Sequence, residues 1–332
     1  MTVNSKMTIY QKILQLFENQ EDFTVKEIVY RLENSKQMVH IALNRLLDEG
    51  KVEKFGRVPN TFYRLKKQAE YKKHKLDIEP DLLKWLDKEF ILVTESGKII
   101  HGIEAFELWC SQRKLPVKKT LLEYKLTKEK YNIYYKRDGI IDGMEKMQNT
   151  KGYDYISLDK LFYIDFYAIE RFGKTPLGTL IHYGKQGQNK YLMKLMVKEI
   201  KDKIHAVLQK YNVEAVCFIP PTIRREVQIM KYLQQHLDIS LPVVGVKKIS
   251  GIIPIPQKSL SKLEERISNA QKTFLITETR KFKTIALIDD AVGSGATLNE
   301  IAKKIKDRKL AEEIVGIAIT GSFKSFDVIT DV

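Results

Sequence analysis

The spacing of hydrophobic residues changes along the chain and predicts different elements near its two ends. Within residues 8–66, apolar residues recur at helical spacing in three successive stretches. These positions are Ile9, Ile13, Leu14, Leu16, Phe17, Ile28, Val29, Leu32, Val39, Leu43, Leu46 and Leu47. Residues 51–55 and 61–65 then alternate between apolar and polar, as two strands would, around a turn at 56–60. The pattern predicts three helices, the third ended by Gly50, and then a β-hairpin.

From about residue 155, short apolar runs alternate with longer amphipathic stretches. The runs predict strands at 215–219, 241–246, 284–288 and 314–320, and the amphipathic stretches predict helices at 189–210, 227–236 and 298–309. Residues 162–169 and 178–183 predict either two strands or a strand and a short helix. Such alternation is typical of an α/β fold with a parallel, doubly wound sheet, in which ligands bind beyond the carboxyl ends of the strands.

The middle of the chain predicts a smaller helical module. A basic stretch at 66–75 is typical of a linker, and helices are predicted at 81–89, 102–113 and 121–130. The expected core aromatics of this module are Trp85, Phe90, Phe106 and Trp109. We therefore expect three domains, which span residues 1–68, 69–155 and 156–332. The sequence does not predict a function for the second of them.

Three tyrosines at the end of this module, Tyr131, Tyr134 and Tyr135, lie among lysine and arginine residues. Aromatic rings mixed with cations can stack on the bases of single-stranded nucleic acid. Tyrosines packed beside the aliphatic stems of lysines are the commoner arrangement, and we favour it here.

Composition limits the classes of function. The 332 residues are 43% hydrophobic and 30% charged, and they contain no apolar run near the ~20 residues that a membrane-spanning helix needs. The N-terminus has no apolar signal segment, and the two cysteines, Cys110 and Cys217, predict neither a disulfide framework nor a zinc site. These features predict a soluble cytoplasmic protein without a resident metal. The net charge of +15 favours a polyanionic partner such as nucleic acid.

The segment with the clearest chemistry runs from Thr284 to Leu298, with the sequence TIALIDDAVGSGATL. An apolar strand leads to Asp289 and Asp290, and a loop of small and hydroxylated residues then leads into a helix. Free N–H groups and the helix dipole make such a loop suitable for a phosphate. Two adjacent carboxylates suit a vicinal diol, so the segment as a whole predicts a site for a ribose 5-phosphate.

This register resembles the phosphoribosyl pyrophosphate (PRPP) motif of type I phosphoribosyltransferases: apolar strand, Asp-Asp, three residues, then Ser/Thr-Gly-x-Thr/Ser. The resemblance implies that Asp289 and Asp290 bind the ribose hydroxyls. It also implies that the loop binds the 5-phosphate. The implied loop residues are Gly293, Ser294, Gly295, Ala296 and Thr297.

Two further segments are similar to the ComF-like subgroup of that family. PLGTLIHYG at 176–184 is similar to the segment that precedes a long helix in the subgroup, and PQKSLSKLEERISN at 256–269 is similar to the segment before the PRPP strand. The resemblance covers about residues 160–332. The chain departs from the subgroup in two ways: it lacks a cysteine-rich zinc module at its start, and the Arg-Gly-Phe-Asn-Gln run is missing after Pro220-Pro221.

The resemblance implies a reaction in which a nitrogen nucleophile displaces pyrophosphate from C1 of the ribose, with Mg²⁺ and cations stabilising the leaving group. Arg224 and Arg225 are the expected diphosphate contacts, and Lys247 and Lys248 lie at the rim of the expected crevice. Residues 250–282 are expected to form a movable lid that carries Arg266 as a catalytic residue.

The predicted order of elements near the N-terminus resembles a winged helix-turn-helix domain. In such domains the third helix enters the DNA major groove and the hairpin contacts the backbone. The implied DNA-binding residues are Lys36, Gln37, His40, Asn44, Arg45 and Arg57. A winged helix used for protein contacts or dimerisation is the alternative, and a homodimer is compatible with either.

Three functions remain open from the sequence. The first is a phosphoribosyltransferase coupled to nucleic-acid binding, which we favour slightly. The second is a DNA-binding regulator that senses PRPP without catalysis, as the purine repressor of some Gram-positive bacteria does. The third is an enzyme whose winged helix serves as a docking module. The acceptor base, the operator and the pathway are not predicted.

Overall fold

The computed structural model describes residues 7–17, 22–49, 51–57, 60–65, 78–95, 97–150, 152–221, 223, 225–249 and 262–322. Contacts divide the chain into two compact units, residues 1–75 and 76–332. The boundaries expected above at 68 and 155 stay predictions.

The N-terminal unit contains the predicted helices and hairpin, with one additional short strand. Its elements are α1 (Ile9–Phe17), β1 (Phe23–Thr24), α2 (Val25–Leu32), α3 (Lys36–Asp48), β2 (Val52–Arg57) and β3 (Asn60–Leu65). β3 pairs antiparallel with both β1 and β2. Its core is formed by ten buried residues from these elements: Ile13, Phe17, Phe23, Ile28, Val39, Ala42, Leu43, Leu46, Val52 and Tyr63. Leu47, predicted to face inward, is only partly buried.

Side-chain caps fix where two of these helices begin. Thr24 and Glu27 form a capping box, in which the Thr24 N–H donates to Glu27 Oε2 at 2.6 Å and the Glu27 N–H donates to Thr24 Oγ1 at 3.3 Å. Ser35 caps α3 by accepting from the N–H of Met38 at 3.3 Å.

The first part of the larger unit is helical, as predicted. Its elements are α4 (Pro80–Glu89), β4 (Ile91–Val93), β5 (Ile99–His101), α5 (Gly102–Gln112), α6 (Val117–Asn132), β6 (Ile141–Asp142) and α7 (Met144–Gln148). Phe90, Phe106 and Trp109 are buried, and Trp85 packs against them. They belong to the same hydrophobic cluster as the central sheet, so this segment is packed as part of the larger unit.

The remaining elements form the α/β part of the unit. They are β7 (Lys160–Phe166), β8 (Ala168–Ile169), a 3₁₀ turn (Glu170–Phe172), β9 (Gly173–Lys174), α8 (Pro176–Gln186), α9 (Lys190–Lys210), β10 (Ala215–Phe218), α10 (Ile229–His236), β11 (Val246–Lys248), α11 (Leu263–Thr273), β12 (Phe274–Ile276), β13 (Phe282–Val292), α12 (Ala296–Asp307) and β14 (Ala311–Gly321). The main sheet has the order β10-β13-β14-β7-β6. β7, β10, β13 and β14 are parallel and the edge strand β6 is antiparallel. The predicted mixed α/β fold with a mostly parallel sheet is confirmed.

Residues 178–183 lie inside α8, where Thr175 caps the helix by accepting from the Gly178 N–H at 3.0 Å, so the alternative of a strand followed by a short helix is confirmed. Two other sequence predictions differ from the structure. Of the strand predicted at 241–246, Val243 makes a single parallel bridge to Val216, and Val246 begins a strand paired with β12. Much of the expected lid at 250–282 is fixed: Ala270, Phe274 and Ile276 are buried in the core, and residues 250–261 lie outside the described part.

Alternate residues of the buried strands pack against two different layers. Ala215, Cys217, Ile285 and Leu287 lie in a cluster with α12, whereas Val216, Ala286 and Ile288 lie in a second cluster with α8, α9 and α10. This alternation is a consequence of the two-residue period of a strand. Helices therefore cover both faces of the sheet, as in doubly wound folds.

The connections leave β10 and β13 in opposite directions. After β10 the chain passes through α10 to Val243, which pairs with the side of Val216 away from β13. After β13 it passes through α12 on the other face to β14. The carboxyl ends of β10 and β13 thus flank a topological switch point, the position where open α/β sheets bind ligands.

Candidate functional site

The two aspartates lie within β13, and not after it as expected. The ladder with β14 continues through Asp289↔Ala318 and Ala291↔Thr320 to Val292. Successive side chains of a strand face opposite sides of the sheet. The two carboxylates therefore do not lie side by side. Asp290 belongs to the face that α8 covers, and Asp289 belongs to the face that contains Cys217. Burial raises the pKa of Cys217, and the charge of Asp289 raises it further.

Asp290 is fixed by contacts to three elements. It is 6% exposed, and its Oδ2 accepts from Nζ of Lys185 on α8. Its N–H donates to Asp289 Oδ1 at 2.8 Å, and its carbonyl accepts from Thr320 Oγ1 at 3.3 Å. Burial alone would lower the pKa of Lys185, but the charge of Asp290 and the hydrogen bond to it outweigh burial and raise it.

Two more cations interact electrostatically with residues of this site, Arg225 with Lys185 and Lys248 with Asp289. Arg225, which follows β10, donates from Nη2 to Oε1 of Gln186 at 3.2 Å. Its positive charge acts to lower the pKa of Lys185. Lys248 ends β11, and its Nζ lies 4.8 Å from the centre of the Phe274 ring. Burial lowers the pKa of Lys248, and the charge of Asp289 opposes that shift. Four elements distant in sequence therefore bring cations and carboxylates together at the switch point.

The loop after β13 has the backbone that an anion site requires. Gly295 has φ +84°, in the left-handed region that favours glycine, and it is the N-cap residue of α12. The N–H of Ala296 donates to Ser294 Oγ at 3.4 Å, and the first turn of α12 contains no acidic residue. Thr297 is partly exposed in this turn. Helix N-termini of this kind favour phosphate groups.

Two side chains from the helical segment before β7 donate hydrogen bonds to the carbonyls of this loop. Tyr153 Oη donates to the Ser294 carbonyl at 2.6 Å, and burial raises the pKa of Tyr153. Lys146 Nζ donates to the carbonyls of Gly293, at 3.3 Å, and Ser322. The carbonyls of Gly293 and Ser294 point towards these donors. The opposite side of the loop is therefore left to its N–H groups.

Arg266 lies on a packed helix and not on a solvated lid. It is 5% exposed on α11, and its Nη1 lies 3.9 Å from where a Cβ on Gly293 would be. Burial lowers its pKa, with an opposing contribution from Tyr153. Arg266 therefore lies near the loop. It would affect a bound ligand through Gly293 or contact it beside Gly293.

In the N-terminal unit, five of the six proposed DNA-contacting residues lie on α3, and the sixth is Arg57. Lys36, Gln37, Asn44 and Arg45 are exposed, and His40 is partly buried. Met38 and Ile41 are exposed on the same helix, at 52% and 63%. Arg45 donates to Glu49 at 3.0 Å and lies 5.0 Å from the centre of the Tyr10 ring. This surface is therefore mixed, and one of its two cations is already engaged.

Sequence reasoning found some of these residues and missed others. The structure brings Asp289, Asp290 and Arg225 together, and it brings Arg266 to the Gly293 loop. Arg224 and the side chain of Arg57 lie outside the described residues. The sequence analysis missed Lys146, Tyr153 and Lys185. The signal that could have identified Lys185 is the helix that begins at Pro176, which continues through it to Gln186.

Comparisons with known proteins add little to this geometry. No protein family and no curated protein matches the chain. One solved structure that it resembles is a hypoxanthine phosphoribosyltransferase from Staphylococcus aureus, at 15% identity, covering 41% of this chain and 67% of that one, with a TM-score of 0.26. A likeness this low carries no argument about function. Within the described residues, none of the helices is long and apolar enough to cross a bilayer.

Proposed function

We propose that the larger unit binds PRPP and that the chain is a phosphoribosyltransferase-like protein. The observation that carries this is the convergence at the switch point of Asp289 and Asp290 with the Gly293–Thr297 loop. In this proposal the loop N–H groups bind the 5-phosphate and Asp289 binds the ribose hydroxyls. Asp290 holds Lys185 in position, and Arg225 and Lys248 face the diphosphate. Arg224 is proposed as a further diphosphate contact from the sequence alone.

Mg²⁺ is proposed to arrive with PRPP. Among the described residues, no group of three or more His, Cys, Asp or Glu side chains is arranged to hold a metal ion. The proposed protein ligand is the Asp289 carboxylate, which is partly exposed. The ion would be held mostly by diphosphate oxygens and water, as Mg²⁺ usually is at phosphate sites. When bound, it would offset the charge of the departing diphosphate.

In the proposed reaction, a nitrogen lone pair forms a bond to C1 of the ribose while the bond from C1 to the diphosphate oxygen breaks. The diphosphate leaves with the electron pair of the broken bond between C1 and oxygen, and the nitrogen then loses a proton to solvent. Arg225 and Lys248 would stabilise the charge that develops on the leaving group. Arg266 is proposed to support the loop through Gly293.

A PRPP sensor without catalysis is the second candidate. It is favoured by α11 and β12, which are packed into the core in the region where the sequence predicted a movable lid. A transferase has to exclude water from C1, and closing loops commonly do this. A sensor needs only a difference in PRPP affinity between two states of the protein.

The N-terminal unit is proposed to be a winged helix that binds DNA. The order of its elements, the three-stranded antiparallel sheet and the exposed surface of α3 support this. A protein-binding winged helix remains the alternative, because Met38 and Ile41 give that surface apolar character.

Calorimetric titration with PRPP and Mg²⁺ tests the binding site. Asp289→Asn with Asp290→Asn should weaken binding by at least tenfold, because charge-assisted hydrogen bonds contribute roughly 1.5–3 kcal/mol each. The matched control is Glu312→Gln with Glu313→Gln, another adjacent acidic pair, at the amino-terminal start of the neighbouring strand β14. Equal affinity in both double variants would remove the assignment.

Pyrophosphate release then separates the two candidate functions. A transferase should release pyrophosphate from PRPP when a suitable nitrogenous base is present, and the Asp289→Asn, Asp290→Asn variant should not. A sensor should release none with any base, while PRPP changes its affinity for DNA. Wild-type protein that binds PRPP and does neither would leave only a docking role.

A further inference from the structure

A cavity of about 360 Å³ lies at the carboxyl edge of the sheet, outside the PRPP site described above. Phe166 is the last residue of β7 and Ser322 follows β14, and both line the cavity. Its other walls come from Tyr134, which follows α6, from β6, and from α7 and the two residues after it. The volume is within the range of small-molecule sites, which are commonly about 300–1,000 Å³.

One wall of the cavity is aromatic and rigid. Phe166 is 1% exposed, and the ring of Tyr134 stands edge-on to it at 6.0 Å between centroids, with 88° between the planes. Tyr131 and Tyr135 also stand edge-on to Phe166, at 5.1 and 5.9 Å. These are the tyrosines that the sequence placed among basic residues. Their packing fixes the buried Phe166 ring, so the aromatic surface that a flat ligand ring can reach is that of Tyr134, which is partly exposed.

The rim of the cavity carries the carboxylates of Asp142 and Glu145 and the side-chain amide of Asn149. Asp142 accepts from Lys136 at 2.5 Å and from the Met144 N–H at 2.9 Å, so its carboxylate is already engaged. Glu145 and Asn149 lie one turn apart on α7 and are exposed at the rim. A carboxylate beside an amide favours a ligand whose edge carries N–H donors and disfavours an anion.

The cation in the cavity wall does not reverse this preference. Lys146 donates from Nζ to the carbonyls of Gly293 and Ser322. Its charge is therefore directed towards the phosphate loop and the end of β14. We propose that this cavity binds a flat heteroaromatic ring with an amino or amidine edge, stacked on the ring of Tyr134 and hydrogen-bonded to Glu145.

Binding of a matched pair of small probes to the full chain tests this. The probes are 2-aminobenzimidazole and benzimidazole-2-carboxylate, which share the ring system and differ in carrying a donor or an anion. Ligand-observed NMR and calorimetry, with no PRPP present, should show saturable binding of the amino probe. The carboxylate probe should bind at least tenfold more weakly.

Two variants at exposed positions locate the site without disturbing the core. Asn149→Trp fills the mouth of the cavity and should reduce binding of the amino probe more than tenfold. Glu145→Gln should reduce it about tenfold, in line with the loss of one charge-assisted hydrogen bond. Glu312→Gln, at the opposite edge of the sheet, should have no effect.

The inference is overturned if the amino probe does not saturate, if both probes bind equally, or if Asn149→Trp leaves binding unchanged. Because no PRPP is used, each of these results leaves the PRPP site untouched. Conversely, the Asp289→Asn, Asp290→Asn variant should bind the amino probe normally even where its PRPP affinity is lost.

Discussion

The carboxyl end of β13 and the surface of α3 are both charged. The charges at β13 are mostly buried and come from distant segments, whereas those on α3 are more exposed and come from neighbouring turns. At β13 the Lys185 and Asp290 side chains are 26% and 8% exposed, and their elements are far apart in sequence. On α3 the Arg45 side chain is 70% exposed, and its partner Glu49 is one helical turn away. Exposed pairs of this kind contribute little to stability, because water and salt screen them. Removing one partner of a buried pair lowers the free energy of unfolding strongly, because the other charge stays buried with neither solvent nor a partner.

The largest expected effect is at the buried pair. Lys185→Met should lower the free energy of unfolding of the larger unit by roughly 3 kcal/mol, since it leaves Asp290 as an uncompensated buried carboxylate. Urea unfolding followed by tryptophan fluorescence measures this selectively, because both tryptophans, Trp85 and Trp109, lie in that unit.

The double variant Lys185→Met, Asp290→Asn is the control, and it should recover most of the lost stability. The raised pKa of Lys185 gives a further check. The stabilisation should be complete below pH 10.5, the ordinary lysine value, and should fall as the pH rises through the higher folded-state value. If the Lys185→Met protein is as stable as the wild type, the Lys185–Asp290 pair contributes no more to stability than the exposed pair on α3.

The next effect concerns ligand affinity and compares two adjacent lysines on β11. Lys248 is partly buried near Asp289, whereas Lys247 is exposed. Lys248→Met should weaken PRPP binding about tenfold or more, in keeping with the loss of one charge-assisted hydrogen bond to the diphosphate. Lys247→Met changes the net charge identically and should change affinity less than twofold. Equal losses in the two variants would mean that β11 contributes only general positive charge.

A smaller effect is expected on α3. Lys36→Ala should reduce the slope of log affinity against log salt for duplex DNA by about 0.9, the value for one lost phosphate contact. Arg45→Ala should reduce it by less, because Arg45 is already paired with Glu49. Lys12→Ala on α1 is the control for net charge and should leave the slope unchanged. If the 332-residue protein shows no salt-dependent DNA binding, the proposal of a DNA-binding winged helix is wrong.

The smallest effect is the titration of Glu49. A hydrogen bond from Tyr10, then those from Arg45 and Lys51, lower the pKa of Glu49 to about 2. Any stabilisation from this carboxylate is therefore present above its ordinary pKa of 4.5 and is lost as the pH falls through about 2. Carbon-detected NMR of the carboxyl group should show this, and Tyr10→Phe should move the midpoint upward. A midpoint near 4.5 in the wild type would show that the three contacts are not kept in solution.

Periodicity and caps were sufficient for much of the fold. The three N-terminal helices, the hairpin, helix α9 and the strands β10 and β14 follow the hydrophobic pattern closely, because each buries one face or is buried on both. Where the pattern left two alternatives open, other contacts decided between them. Residues 178–183 are apolar enough for a strand, but the Thr175 cap and the packing of Leu177, Leu180 and Ile181 on the sheet stabilise the helix.

For the candidate site, the sequence by itself determined the glycine-containing loop at 293–297 and the aspartates before it, because glycine at a left-handed position and an apolar strand are local requirements. The tertiary structure decided the rest. It extended β13 to Val292, so that the two aspartates face opposite sides of the sheet. It also brought Lys185, Arg225 and Lys248 to them. The pairing of β13 with β14 and the crossover through α8 and α9 are long-range, and no local pattern in the sequence encodes which distant cation a buried carboxylate will meet.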